Sequence, residues 1–176
     1  ETGGVVVEGG SAVSSLKPGD RVMGVSDASG GGFAQEIVLA QERAFALPPS
    51  MSFEEAAATP VVYGTTLYAL KQRGRLAPGE WVLVLGPAGG VGLATVQLAK
   101  AMGGHVIAAA STPEKRALCL EHGADHAIDY TQPGWREQVK ALTGGRGADL
   151  VYDPVGGDAF GEGGRCMGFD GRYLVI

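Results

Sequence analysis

The sequence predicts an α/β protein: a doubly wound parallel sheet, five of its six strands present, preceded by part of a small β-domain. Three observations carry this. From Trp81 onward, short apolar runs alternate with helix-patterned segments. The run "WVLVLG" is apolar without alternation, as a central parallel strand buried on both faces should be. Before residue 60 the style differs: short β-like runs are separated by turn signals, and no long helical period appears.

The 176 residues suit one domain or one and a fraction. Hydrophobic residues make up 45% and charged residues 19%, which allows a sizeable core and argues against wholesale disorder. A net charge of −5 is not the basic footprint of a nucleic-acid binder. The longest apolar runs are far too short to span a bilayer, so neither nucleic acid nor membrane is an expected partner. Two cysteines, Cys119 and Cys166, and no visible signal peptide fit a cytoplasmic protein.

Strands are expected in "GVVVEG", "GDRVMGV", "FAQEIVL" and "AFAL", with "KPGD" as a turn. Next, "PPSMSFEEAAATP" announces a helix. Ser52 and Glu55 have capping-box spacing, so the hydroxyl accepts from a free amide while the carboxylate reaches back. Pro60 interrupts, and a second helical run covers 61–72. The strand "WVLVLG" leads to a helix over 90–102, then strand "HVIAAA" and helix Pro113–Glu121, stopped by Gly123. "DHAIDY" holds a third strand, Trp135–Leu142 a helix, and "ADLVYD" the fourth strand. A glycine-loosened helix over 160–167 precedes the fifth strand, "RYLVI".

These are five strands of a Rossmann sheet of order 3-2-1-4-5-6. No sequence remains for the sixth, which would leave a bare apolar edge. The chain also opens without methionine, directly on "ETGGVVVEGG". A piece of a longer polypeptide is therefore expected, with residues 1–57 belonging to one domain and 58–176 to the other.

The stretch "GPAGGVG" is the first candidate for chemistry. In the dinucleotide fingerprint, one glycine makes the turn, the next admits the pyrophosphate, and the third packs helix against strand. Aligned on "GGVG", Gly89 and Gly92 hold the last two places and Pro87 the first. Amides from Gly89 to Gly90 and Val91 are expected to face a phosphate at the positive helix end. The competing reading of this stretch alone is a bare strand–turn–helix junction.

The residues after the second strand add to it. An NAD site needs an acid there to hold the ribose 2′-hydroxyl. This chain instead has "STPEKR", with hydroxyls on Ser111 and Thr112 and cations on Lys115 and Arg116. That favours the 2′-phosphate of NADP. Thr112 also suits the cap of a helix beginning at Pro113.

The motifs "GPAGGVGLATVQLAKAMGGHVIAAASTPEKR", "GADHAIDY" and "VYDPVGG", with "LKPGDRVMG", "GGFAQEIVLA" and "LPPSMSFEEAAATPVVYGTTLYAL" before them, form an ordered series along the whole chain. The series resembles the zinc-independent medium-chain reductases, in particular NADPH:quinone oxidoreductases of the zeta-crystallin type. The resemblance implies that residues 1–57 are part of a GroES-like β-barrel domain and that catalytic residues lie upstream of Glu1. It implies NADP(H) as cofactor, hydride transfer to quinones or other electron-poor alkenes or carbonyls, and a homodimer for the full-length protein. Enoyl-thioester reductases share these motifs. For the truncated chain, a non-catalytic dinucleotide-binding module is the other reading.

By the same resemblance Thr65 lies near the nicotinamide and Tyr63 lines that pocket. Gly89, Gly90 and Val91 meet the pyrophosphate. Ser111, Lys115 and Tyr130 contact the 2′-phosphate, and Asp153 and Val155 belong to a loop beside the ribose.

Metal chemistry finds little support. A structural zinc lobe needs four clustered cysteines, and none stands between Val22 and Phe33. Cys119, His122 and His126 are near in sequence, but Gly123 ends the helix between them, so no metal site is expected.

Overall fold

The computed structural model describes residues 1–26 and 31–176. Part of the loop expected to lack a zinc lobe, 27–30, lies outside the described residues. Two compact units are present, Glu1–Gly64 and Thr65–Ile176.

In the first unit, strands β1 (Thr2–Val5), β2 (Arg21–Gly24) and β3 (Ala44–Ala46) form an antiparallel sheet in that order. Met23 faces Gly3 on one side and Phe45 on the other. The Arg21 guanidinium donates to the carbonyls of Pro49 and Met51 and sits 4.7 Å over the Phe53 ring. It thereby fixes the approach to helix α1 (Phe53–Ala57). The capping box is formed: Ser52 Oγ accepts from the Glu55 amide at 3.1 Å, and the Glu55 carboxylate accepts from the Ser52 amide at 2.8 Å. Those bonds hold the Glu55 carboxyl below its ordinary range.

The segment "FAQEIVL" is not a strand. Its side chains Phe33 and Val38 are fully exposed. A strand exists only where a neighbour completes its hydrogen-bond ladder. Among the described residues the ladders of this unit pair β1 with β2 and β2 with β3, and none includes this segment.

Helix α2 (Pro60–Leu67) spans the division between the units. Pro60 begins it, where a missing N–H costs nothing. It continues as a π-helical turn, Tyr68–Arg73, so the run expected over 61–72 changes hydrogen-bond pattern midway.

The second unit alternates strand and helix. Its elements are β4 (Trp81–Leu85), α3 (Gly90–Ala101), β5 (His105–Ala109), α4 (Pro113–Glu121), β6 (His126–Ile128), α5 (Trp135–Leu142), β7 (Ala148–Asp153), α6 (Asp158–Gly164) and β8 (Met167–Val175). All strand pairs are parallel, in the order β6-β5-β4-β7-β8. This is the expected 3-2-1-4-5 arrangement.

Successive strand residues feed opposite layers, which is why "WVLVLG" shows no alternation. Val82, Val84, Val106 and Ala108 pack with Val96, Ala99 and Cys119 on one face. Leu83, Leu85, Ile107 and Ala109 pack with Trp135, Val139 and Cys166 on the other.

The strand expected in "GVVVEG" is shifted to Thr2–Val5, and in the second unit two elements differ from expectation. Helix α6 starts earlier and ends at Gly164, and β8 begins already at Met167. The extra strand length carries an irregularity: Asp170 has φ +59°, and the register against β7 shifts between Ala148 and Leu150. Beyond it Arg172 returns to register, donating both guanidinium arms to the Glu80 carboxylate at 2.8 and 2.6 Å.

Candidate functional site

In this sheet β4 is flanked by β5 and β7, the point where strand order reverses. A crevice forms there beyond the carboxyl ends of the strands. The β4 strand delivers the glycine turn to that point.

Gly86 has φ +56°, and a Cβ added to it would stand 2.9 Å from Val155 Cγ2. It is Gly86, therefore, that makes the turn, and not Pro87 as the fingerprint alignment assigned. The Gly86 carbonyl accepts from the Gly89 amide at 3.2 Å. The amide of Gly89 is thus used within the turn, and the free amides begin at Gly90 rather than at Gly89. At Gly92 a Cβ would collide with the Gly86 carbonyl oxygen and lie 2.8 Å from Pro87 Cα. Close packing of α3 on the turn depends on that glycine.

Gly89 is different. Its φ of −84° is open to any residue, and a Cβ would make only an ordinary 3.6 Å contact with the Gly86 carbonyl. Nothing inside the chain requires glycine there. As the N-cap of α3 it has no side chain to satisfy the first-turn amides, and no acidic side chain stands in that turn. The amides of Gly90 and Val91 belong to that first turn and have no intrahelical acceptor. Together with the helix dipole they suit an anion that approaches the backbone closely.

The Val91 carbonyl is held in place from below. Thr95 Oγ1 donates to it at 2.7 Å, and buried Thr66 Oγ1 lies 3.4 Å away. The Thr66 hydroxyl is also 3.3 Å from that of buried Tyr152. Thr65, the expected site residue, is exposed; its neighbour Thr66 is the one that reaches the turn. Tyr63 is half-buried in the first unit.

At the end of β5 the backbone passes through buried Ala109 and Ala110 to Ser111, with no carboxylate. Thr112 Oγ1 accepts from the Lys115 amide at 3.3 Å, capping α4, and Pro113 occupies its first turn. The two cations that follow separate. Arg116 pairs with Asp129 at 3.0 Å and donates to the Ala110 carbonyl at 3.2 Å. Lys115 is exposed, and its ammonium pairs with no carboxylate among the described residues. Tyr130 is 40% exposed and lines a cleft of roughly 210 Å³ with Leu85, Gly86, Trp135, Val155 and Ala159.

Asp153 ends β7 and is fully buried. One carboxylate oxygen accepts from the amides of Val155 at 2.8 Å and Gly156 at 2.9 Å. The other accepts from the Tyr173 hydroxyl at 2.7 Å. Burial first, and then the bond to Asp153, raise the Tyr173 hydroxyl far above its ordinary value. The Asp153 side chain thus faces its own loop, while Val155, 56% exposed, is the part of that loop presented outward beside Gly86. Gly86, Thr66 and Tyr173 had not been singled out in the sequence. Only Gly86 left a visible signal there, the Gly-Pro pair of a turn.

Cys119, His122 and His126 face different neighbours. Cys119 is buried, a ring nitrogen of His122 lies 3.0 Å from Gln97 Nε2, and His126 stacks on Trp81 at 5.9 Å. Among the described residues no group of three or more His, Cys, Asp or Glu is placed to hold a metal ion, and no helix is long and apolar enough to cross a membrane.

Residues 90–176 match the family of zinc-binding dehydrogenases. Over 176 residues the chain is 44% identical to the quinone oxidoreductase-like protein 2 homolog of Nematostella vectensis, covering 100% of this chain and 48% of the relative. The structure of Escherichia coli quinone oxidoreductase complexed with NADPH is 34% identical, with a TM-score of 0.89 over 99% of this chain and 54% of that one. The CurK enoyl reductase structure is 31% identical, with a TM-score of 0.91 over 99% and 52%. The chain spans about half the length of the curated relatives it matches. Sheet order, glycine turn and these similarities agree: over its whole length the chain is similar to quinone oxidoreductase-like members of the medium-chain dehydrogenase/reductase family.

Proposed function

We propose that this chain carries the NADP(H)-binding part of a zinc-independent reductase acting on quinones or other electron-poor alkenes and carbonyls. The carrying observation is Gly89, a glycine that the chain's own packing and conformation do not require, at the uncapped start of α3. Gly90 and Val91 would donate their amides to the pyrophosphate, and Gly89 would leave room for it. Ser111, Lys115 and Tyr130 would hold the 2′-phosphate. Val155 would cover the ribose, and Tyr63 and Thr65 would line the nicotinamide side. Bound NADPH supplies the hydride; the protein orients it and excludes water. The intact protein would act as a cytoplasmic homodimer on a small-molecule acceptor, with catalytic side chains outside residues 1–176. Support for the cofactor comes from the missing carboxylate after β5 and from the NADPH complex of the E. coli relative.

Titration with NADPH and NADH tests this. Lys115→Ala should weaken NADPH by about 1.5–3 kcal/mol, the cost of a lost charge-assisted phosphate contact, and leave NADH nearly unchanged. Equal losses for both nucleotides would remove Lys115 from the 2′-phosphate.

The likeness to an enoyl reductase supports a second reading, an enoyl-thioester reductase. Turnover of a crotonyl thioester but not of a naphthoquinone by the intact protein would select it. Residues 1–176 alone are expected to act as a dinucleotide-binding module without turnover.

A further inference from the structure

We infer that Tyr173 and Asp153 form a latch that sets the loop 154–157 against the glycine turn, making Tyr173 a positioning residue for dinucleotide binding. The inference rests on the proposed dinucleotide site.

The observations converge from three elements. At the end of β7, Asp153 is fully buried, and three donors occupy its carboxylate. Two of them are the amides of Val155 and Gly156, so the carboxylate folds the loop back on itself. Gly156 and Gly157 follow with φ of +67° and +58°, completing a bend that other residues rarely make. The same loop brings Val155 so near Gly86 that a Cβ on the glycine would stand 2.9 Å from it. The position of Val155 and the shape of the turn are therefore set together.

Tyr173, on β8, supplies the third bond from behind. Helix α6 is shaped to admit it: a Cβ on Gly163 would lie 2.8 Å from the Tyr173 hydroxyl and 3.1 Å from Leu85 Cδ1. Phe160 of the same helix packs edge-on against the tyrosine ring, 4.8 Å between centroids. Removing the hydroxyl leaves one oxygen of a fully buried carboxylate without its donor. That state is costly, and the group relieves it by turning toward water. The turn loosens its hold on the Val155 and Gly156 amides. The tyrosine then acts on the nucleotide site without touching the nucleotide.

The test compares Tyr173→Phe, Asp153→Ala and Asp153→Asn in the intact polypeptide that carries these residues. The first readout is hydrogen exchange at Val155 and Gly156 without nucleotide; the second is the NADPH dissociation constant. In Tyr173→Phe, exchange at those two amides should rise about tenfold while amides of β4 stay unchanged, and the dissociation constant should rise about five- to tenfold. Asp153→Ala should do at least as much. Asp153→Asn should fall between the parent and Asp153→Ala, because its amide oxygen still accepts both loop amides while its NH₂ meets the tyrosine oxygen only if the hydroxyl turns its own proton away. Unchanged exchange in Tyr173→Phe would overturn the latch. So would an Asp153→Asn variant as weak as Asp153→Ala, since the loop-amide bonds kept by the asparagine oxygen would then contribute nothing. Failure of the parent protein to bind NADPH would instead sink the dinucleotide reading, and with it the role of Tyr173 there. The exchange result would still decide whether the latch exists.

Discussion

At Gly92 an added methyl group meets a carbonyl oxygen head-on; at Gly89, three residues earlier, it meets only ordinary van der Waals contact. Gly92→Ala must therefore push α3 off the turn, and should cost about 1–3 kcal/mol in thermal or denaturant unfolding. Gly89→Ala should change stability by less than about 1 kcal/mol yet weaken NADPH binding in the same preparation. Equal stability losses would contradict the division of labour between the two positions. Their spacing was legible in the sequence, because a glycine needed for close approach leaves a mark that no other residue can imitate. Which threonine of "TT" faces inward was not legible. Thr65 and Thr66 differ only in which side of α2 they occupy, and Thr66 is chosen by its burial beside Tyr152 and Val91. Similarly, residue type and spacing alone do not separate Lys115 from Arg116, whereas the position of Asp129 commits Arg116 elsewhere.

Elements were legible where a local pattern suffices. Helix α4 occupies the residues its cap marks out, and α5 those its periodicity marks out. "FAQEIVL" has suitable composition but lies in no ladder, and pairing is a property of two segments rather than one. The long β8 was hidden behind its irregularity at Asp170, where the apolar pattern breaks. The ties between elements carry a pH signature. The Arg172 hydrogen bonds hold the Glu80 carboxyl below its ordinary range. Burial opposes the charge of Asp125, but bonds from Lys100 and the Val106 amide outweigh it and hold that carboxyl low as well. A carboxyl lowered on folding stabilises the protein above its unfolded-state pKa, and that contribution is lost as pH falls through the folded value. Stability should therefore fall as pH drops below about 4, and Glu80→Gln should flatten the fall by about 1 kcal/mol, the modest size expected of a partly exposed pair. Acid unfolding followed by circular dichroism checks this; a curve unchanged by the substitution would contradict it.

At the scale of the molecule, the second unit has two apolar layers separated by its sheet, and each holds one of the two cysteines. Both thiols are inaccessible, and burial raises both, Cys166 to about 11. Neither should react with a thiol reagent at neutral pH while the protein is folded, and both should react after denaturation. If the layers open as one cooperative unit, the two should become reactive at a single rate under mild denaturant. Two separate rates would show that one layer loosens before the other.

The sheet also places the two tryptophans at opposite ends of its strands. Trp81 begins β4 and lies against His105 and His126, with ring centroids 4.8 and 5.9 Å away. Trp135 sits in the cleft beside Gly86, beyond the other end of the same strand. A reduced nicotinamide nucleotide accepts excitation energy from an indole within reach. Nucleotide bound over the glycine turn should therefore quench Trp135 and leave the emission of Trp81, at the foot of the sheet, largely as it was.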